Sequence, residues 1–231
     1  LADIQSYIDF SCVNLYFGNL DFNEQKNIYY WRSRKTGKSP WEDGRWRWGL
    51  YDLDLENLDY GYYEQDINTF ALETHYAGGA FRDREMFVAL RRNPQFCRDF
   101  VNTFMDLINT EFTLEHARAV WENWNCTPLY WRKEEDWCQS YFPARNQKIT
   151  EFIAEEFGLS GDLATLSLTM ESETDAASGS AAGNAVLLNT ILPNLDNVEE
   201  WRGDYFTDVP VTLTAQPAEE STFREWRING A

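Results

Sequence analysis

The sequence of 231 residues is 43% hydrophobic and 25% charged, and it contains no apolar run of the roughly 18 residues that a membrane-spanning helix needs. It carries 20 Lys and Arg against 38 Asp and Glu, a formal net charge of -18, which repels nucleic acids and anionic membrane surfaces. These counts predict a folded, soluble protein of one large or two unequal domains that neither binds nucleic acid nor inserts into a membrane.

The chain begins on a helical pattern and not on a leader sequence. It has no initiating Met and no basic-then-apolar stretch. Apolar residues recur every three or four positions from Ile4 to Leu15, which is typical of one face of a helix, and Gly18 is a suitable stop. We therefore expect a fragment of a longer protein.

An aromatic hairpin is predicted next. Residues 28–32 (IYYWR) and 45–51 (RWRWGLY) are rich in strand-forming side chains, and the segment between them has Gly and Pro at turn positions. Ten of the 36 residues 28–63 are Trp or Tyr. These rings either pack against helices or stack on a flat ligand such as adenine or a glycan.

Acidic and amide side chains flank this hairpin: Asp21 and Asn27 precede it, and Asp52 and Asp54 follow it. Positions two apart in a strand share a face, so the last two carboxylates are expected to repel unless a cation joins them. Mg²⁺ prefers one or two such oxygens together with substrate phosphates, and phosphoryl transfer needs a further carboxylate, here Asp21, at the attacking hydroxyl. The same residue types also cap helices and form turns, and both interpretations stay open.

Helices dominate the rest of residues 1–160. Asn93 and Pro94 form a helix start, followed by an apolar stripe over residues 96–108. Thr113 is the predicted cap of another helix, and a further helix is expected to end at Gly158.

No G-x-S-x-G sequence is present, which argues against a Ser-His-Asp hydrolase. The four cysteines are Cys12, Cys97, Cys126 and Cys138. They lack the C-x-x-C spacing of zinc sites, which argues against zinc. Whether two of them form a disulfide or all four are plain thiols stays equally open.

The composition changes near residue 160. Residues 175–184 are small and polar, as in a flexible loop, and apolar residues alternate over 166–170 and 209–215, as in strands with one buried face. We predict an α+β fold with a mainly helical domain over 1–160 and a small antiparallel β module over 161–231.

Residues 1–160 resemble the C-terminal part of the CotH family, the spore-coat protein H type of atypical secreted protein kinases. The resemblance rests on six segments in the family's order: GNLD (18–21), NIYYWR (27–32), YDLD (51–54), NPQFCRDF (93–100), DLINTEFT (106–113) and PARNQKITEFIAEEFGL (143–159). Residues 184–193, 200–217 and 221–230 resemble small β repeat modules found beside CotH domains in exported bacterial proteins.

The resemblance implies transfer of the ATP γ-phosphate to Ser or Thr of a secreted protein, with Mg²⁺ or Mn²⁺, on a kinase-like lobe. It implies Asp21 as the catalytic carboxylate, Asn27 as a metal ligand, Asp52 as the counterpart of the acid that opens the kinase D-F-G, and Asp54 as a second acid. Asn27 stands six positions after Asp21, whereas the corresponding spacing in kinase catalytic loops is five positions, so Asn23 is an alternative amide ligand.

No Gly-rich loop and no strand Lys paired with a helix Glu is found, so we expect an incomplete kinase that binds nucleotide poorly. An extracellular or cell-surface location follows from the resemblance. Two other functions stay open: a coat or surface scaffold without catalysis, and a carbohydrate-active or carbohydrate-binding protein in which Asp21 and Asp52 are paired carboxylates.

Overall fold

A computed structural model describes residues 1–19, 27–53, 66–72, 79–123, 128–171, 183–195, 200–219 and 221–229. The chain divides into two compact units, Leu1–Gly161 and Asp162–Ala231. In the described residues the first unit is mainly helical with one hairpin, and the second contains short antiparallel strands. The predicted α+β class is confirmed.

Helices make up most of the first unit. Their bounds are α1 (Ile4–Phe17), α2 (Glu85–Leu90), α3 (Pro94–Asn109), α4 (Leu114–Asn123) and α5 (Pro128–Phe157), with a 3₁₀ turn at Phe81–Asp83. Helix α1 packs on α3, and α5 packs on both α3 and α4. No helix within the described ranges is long and apolar enough to cross a membrane.

The helix ends follow the local signals in the sequence. Helix α1 ends where Gly18 takes up a left-handed backbone with φ 70°. The Asn93 side chain accepts a hydrogen bond of 2.9 Å from the backbone N–H of Gln95 and so caps α3. Thr113 Oγ1 likewise accepts from the backbone N–H of His116 at 3.1 Å. These predicted boundaries are confirmed.

The core of the first unit is a cluster of phenylalanine rings. Phe100 is fully buried, and its ring lies 5.4 to 6.3 Å, centroid to centroid, from five others, which come from the segment before α2, from α2, from α3 and from α5. The five are Phe70, Phe87, Phe96, Phe104 and Phe157. The apolar stripe predicted for α3 therefore faces this core.

The predicted hairpin is present but shorter than expected. Strands β1 (Tyr29–Trp31) and β2 (Arg47–Gly49) pair antiparallel. The rings of Trp48 and Tyr7 meet edge to face at 5.2 Å, and the Trp48 backbone N–H donates to Ser6 Oγ at 3.0 Å. One face of the hairpin is thereby fixed to the first half of α1.

In the second unit, β3 (Leu163–Leu168) pairs with β5 (Trp201–Phe206), and β4 (Ala185–Leu188) pairs with β6 (Leu213–Gln216). Strand β3 ends before Met170, and β6 begins at Leu213, so the strands predicted at 166–170 and 209–215 are each displaced. The ladder of β4 with β6 ends at Leu188 and Leu213, because the next residue of the partner, Asn189, has a left-handed backbone with φ 46° and its side chain accepts from the Thr212 N–H at 2.8 Å.

Aromatic side chains of the second unit divide between its core and its surface. Tyr205 and Phe206 are buried, as expected for a small β core. Phe223 and Trp226 are 46% and 42% exposed and lie against each other with ring centroids 5.1 Å apart. Of these four aromatic side chains, Tyr205 and Phe206 belong to the core of the unit, whereas Phe223 and Trp226 lie at its surface.

The cysteines in the described residues are thiols. Cys12 is buried in α1 and Cys97 is half-buried in α3, and neither forms a disulfide. Burial above all raises the pKa of the Cys12 thiol well above its ordinary value, so this group is an inert core side chain. Cys126 and the side chain of Cys138 lie outside the described residues.

Candidate active site at the open end of the hairpin

Asn27 and Asp52 flank the open end of the hairpin. The outermost pair of the ladder is Tyr29 with Gly49; Asn27 stands two residues before this pair and Asp52 three residues after it. The Asn27 side chain is half-buried and Asp52 is exposed. Asp21, Asn23 and Asp54, the other predicted site residues, lie outside the described residues.

Both flanking residues have a left-handed backbone, with φ 59° at Asn27 and 57° at Asp52. Within the described part of the first unit, they are the two residues other than glycine with positive φ. Asn and Asp tolerate this conformation better than most residues, but it still costs about 1 kcal/mol or more, and such strain gathers at functional sites. The backbone therefore marks this end of the hairpin as a candidate site.

The donor atoms at this end suit a hard divalent cation. Carboxylate and amide oxygens are the protein ligands that Mg²⁺ prefers, and Mg²⁺ needs only one or two of them when phosphates and water complete its shell. In the ranges that the structure describes, no three His, Cys, Asp or Glu side chains form a cluster of potential ligands. Asn27 and Asp52 are donors of the type that a metal shared with a phosphate group would need.

Two asparagines fix the chain as it leaves α1. Asn19 Nδ2 donates to Asn14 Oδ1 at 2.7 Å, and Asn14 Nδ2 donates to the Phe10 carbonyl at 2.7 Å. The backbone N–H of Asn19 also donates to the Asn14 carbonyl at 2.9 Å, and both asparagines are buried. These contacts hold the chain in place as far as Asn19, two residues before Asp21 in the sequence.

Sequence reasoning gave no role to Arg145, a fully buried charged side chain that contacts the end of α1. The signal was present: Arg145 stands four residues before Ile149 and eight before Ile153, on the apolar stripe of α5. Burial lowers the pKa of its guanidinium, although arginine keeps its proton in proteins. A charge on an apolar stripe indicates a buried polar partner.

A cavity of about 230 Å³ lies between the hairpin, α1 and residues 81–86. Its walls are mainly aromatic and apolar: Tyr7, Phe10, Ile28, Tyr30, Trp48, Phe81, Arg84 and Met86. Ile28 adjoins Asn27, so the cavity begins beside the candidate site. The aromatic residues of the hairpin thus serve as packing and also line a cavity.

A buried arginine stabilises the turn end of the hairpin. Arg47 is 3% exposed, and its guanidinium lies 5.3 Å from the ring centroids of both Trp31 and Trp41. Its Nη2 contacts Asp43 Oδ2 at 2.8 Å and Asp3 Oδ2 at 3.0 Å. The hairpin is thereby tied to the residue that caps α1, Asp3.

Asp43→Asn is expected to make folding less sensitive to acid. The side chain of Arg47 first, and then the backbone N–H of Arg45, hold the pKa of Asp43 well below its ordinary value. A carboxyl whose pKa is lowered by folding contributes stability that is present above about pH 4 and is lost as the pH falls toward the folded-state pKa. Urea unfolding from about pH 6 to pH 2.5 measures this loss, which should be smaller in Asp43→Asn.

The control for this measurement is Asp83→Asn, which removes an exposed carboxylate outside the hairpin. Its unfolding free energy should follow pH as the wild type does. Equal pH dependence in Asp43→Asn and wild type would show that the contact with Arg47 does not stabilise the fold.

The architecture and the site define an α+β protein in which a mainly helical unit carries acid and amide groups at one end of a hairpin. The profile of a family described as CotH kinase protein matches residues 1–153. Since this match spans about two thirds of the chain, the protein belongs to the CotH family. No curated protein and no solved structure is significantly similar to it. The resemblance of the second unit to β repeat modules stays a prediction.

Proposed function

We propose that the protein is an atypical protein kinase that transfers the γ-phosphate of ATP to Ser or Thr residues of secreted or surface proteins. Membership of the CotH kinase family supports a kinase-like function. The observation that carries the proposal is the pair Asn27 and Asp52, hard oxygen donors held in left-handed backbone at one end of the hairpin. An extracellular or cell-surface location in a bacterium is part of the same proposal.

In this proposal each side chain has one task. Asp52 and Asn27 hold Mg²⁺ or Mn²⁺, with Asp54 as a second acid. When bound, the ion neutralises charge on the phosphates of ATP. The substrate hydroxyl oxygen bonds to the γ-phosphorus while the bond from that phosphorus to the bridging oxygen of ADP breaks. The hydroxyl proton passes to the carboxylate of Asp21.

The test is metal-dependent labelling by the protein in its full natural length. The protein is incubated with Mn²⁺, casein as a Ser- and Thr-rich acceptor, and ATP labelled at the γ-phosphorus or, in parallel, at the α-phosphorus. We expect label from γ-labelled ATP on Ser or Thr of casein or of the protein itself, and none after EDTA.

Two results would contradict the kinase proposal. Label from α-labelled ATP would mean that a nucleotide and not a phosphoryl group is transferred. A folded protein that gives no label from either ATP would leave the scaffold function as the better explanation, and soluble oligosaccharide binding without metal would favour the carbohydrate-binding alternative.

A further inference from the structure

We infer that Arg145 is a positioning residue for phosphotransfer, because it joins the end of α1, from which the segment with Asp21 departs, to residues 67–69. This inference rests on the proposed function for its catalytic consequence. The contact itself stands on the geometry of residues within the described first unit.

The guanidinium of Arg145 bridges two distant parts of the chain. Its Nε donates to the Tyr16 carbonyl and its Nη2 to the Leu15 carbonyl, each at 2.7 Å. Its Nη1 donates to the Ile67 carbonyl at 2.7 Å, and Nη2 also lies 3.2 Å from Thr69 Oγ1. One planar group therefore binds both the last turn of α1 and residues 67–69.

The carbonyls of a helix's last turn have no partner within the helix, and a cation there also interacts favourably with the helix dipole. The Tyr16 carbonyl accepts a second hydrogen bond from the Tyr141 hydroxyl at 3.0 Å. The Leu15 carbonyl accepts one from Thr69 Oγ1 at 2.6 Å. The end of α1 is thus held from two sides by buried donors.

The side chain of Tyr16 strengthens the same link. Its hydroxyl donates to Asn146 Oδ1 at 2.6 Å, and Asn146 Nδ2 donates to the Phe112 carbonyl at 3.0 Å. Three residues of α5, Tyr141, Arg145 and Asn146, therefore contact Tyr16. The position of α1's last turn is set by α5 and not by the helix alone.

The proposed catalytic carboxylate, Asp21, follows the last turn of α1 closely in the sequence. Asp21 lies five residues after Tyr16, by way of Gly18 and the bonded Asn19. A displacement of about 1 Å in a reacting group can lower a rate by about 100-fold. Loss of the guanidinium contacts of Arg145 should therefore lower kcat. The KM for ATP should change little, because it is set by the metal and phosphate contacts.

Arg145→Lys is the informative variant. Lysine keeps the positive charge but presents a single ammonium in place of a planar fork, so it cannot reproduce contacts to both segments. The matched control is Arg91→Lys, because Arg91 also contacts α5, through Glu156, and among the described residues its guanidinium does not bond to the end of α1. Both variants are assayed at a temperature where urea unfolding shows them to be folded.

In Arg145→Lys we expect kcat to fall by about 10- to 100-fold with KM for ATP within about threefold of wild type. The amides of Gly18 and Asn19, both bonded to the Asn14 carbonyl, should exchange hydrogen about tenfold faster. Arg91→Lys should leave kcat and both exchange rates at the wild-type values.

Equal kcat values in Arg145→Lys and Arg91→Lys, or unchanged exchange at Gly18 and Asn19, would overturn the inference. If the wild type transfers no phosphate, the proposed function fails, while the exchange rates still decide whether Arg145 positions the end of α1. If Arg145→Lys does not fold, Thr69→Val is used instead, because it removes the hydroxyl that bonds to the Leu15 carbonyl. It should lower kcat and speed hydrogen exchange by about three- to tenfold. Unchanged kcat and exchange rates would refute the inference.

Discussion

Asp52→Ala is expected to abolish the stabilisation of the protein by Mn²⁺ with ATP and to lower kcat by about 10³-fold. A ligand that binds only the folded state stabilises it by about 2.7 kcal/mol at a hundredfold excess over Kd, which is readily seen as a rise in Tm. Asp52 supplies the carboxylate of the proposed metal pair, and alanine leaves the amide oxygen of Asn27 and the proposed second acid, Asp54, which we expect to be too few donors to hold the ion. Thermal unfolding with and without Mn²⁺ and ATP measures the first effect, and γ-phosphate labelling measures the second.

Asp21→Asn separates metal binding from chemistry. It removes the proposed proton acceptor but not the metal pair, so the Tm rise should persist while kcat falls. A wild-type Tm rise in Asp52→Ala would show that Asp52 does not hold the ion. Asn27→Gly removes the amide but keeps the left-handed backbone accessible, so it should weaken the Tm rise. If the Tm rise is lost in Asn23→Ala and not in Asn27→Gly, the amide ligand is Asn23.

Signals that act over a few residues made much of the fold predictable. Gly18 ends α1, and Asn93 caps α3 because its side chain reaches a backbone N–H two residues away. The hairpin flanks were predictable for the same reason, since strand-forming runs and a turn fix which residues stand at its open end. Asn27 and Asp52 flank the hairpin as predicted, but β2 ends at Gly49 and Asp52 has a left-handed backbone, so the strand geometry expected at Asp52 is wrong.

Contacts between distant residues were not predictable in this way. Arg145 bonds to a carbonyl 130 positions earlier, and no local pattern specifies which helix end a buried guanidinium will meet. The sequence showed only that a charge interrupts an apolar stripe. The start of β6 was not predictable from alternation either, because it depends on where its partner β4 ends, at Leu188.

Phe100→Ala is expected to lower the free energy of unfolding of the first unit by about 3 to 5 kcal/mol, the usual cost of replacing a buried Phe by Ala. Phe100 is fully buried and its ring contacts rings from α2, α3, α5 and the segment at Phe70, so the void cannot be closed by moving one element. A loss of this size is a large share of a typical total of about 5 to 15 kcal/mol. Urea unfolding measures it.

Val88→Ala on α2 is the matched control, because Val88 is 39% exposed and its truncation should cost no more than about 0.5 kcal/mol. Phe100 contributes packing and no polar contact to the last turn of α1, so phosphotransfer per folded molecule should stay at the wild-type value. This pattern is the reverse of that expected for Arg145→Lys, in which kcat falls while the protein remains folded. A stability loss below about 1 kcal/mol in Phe100→Ala would mean that the phenylalanine cluster is not a tightly packed core.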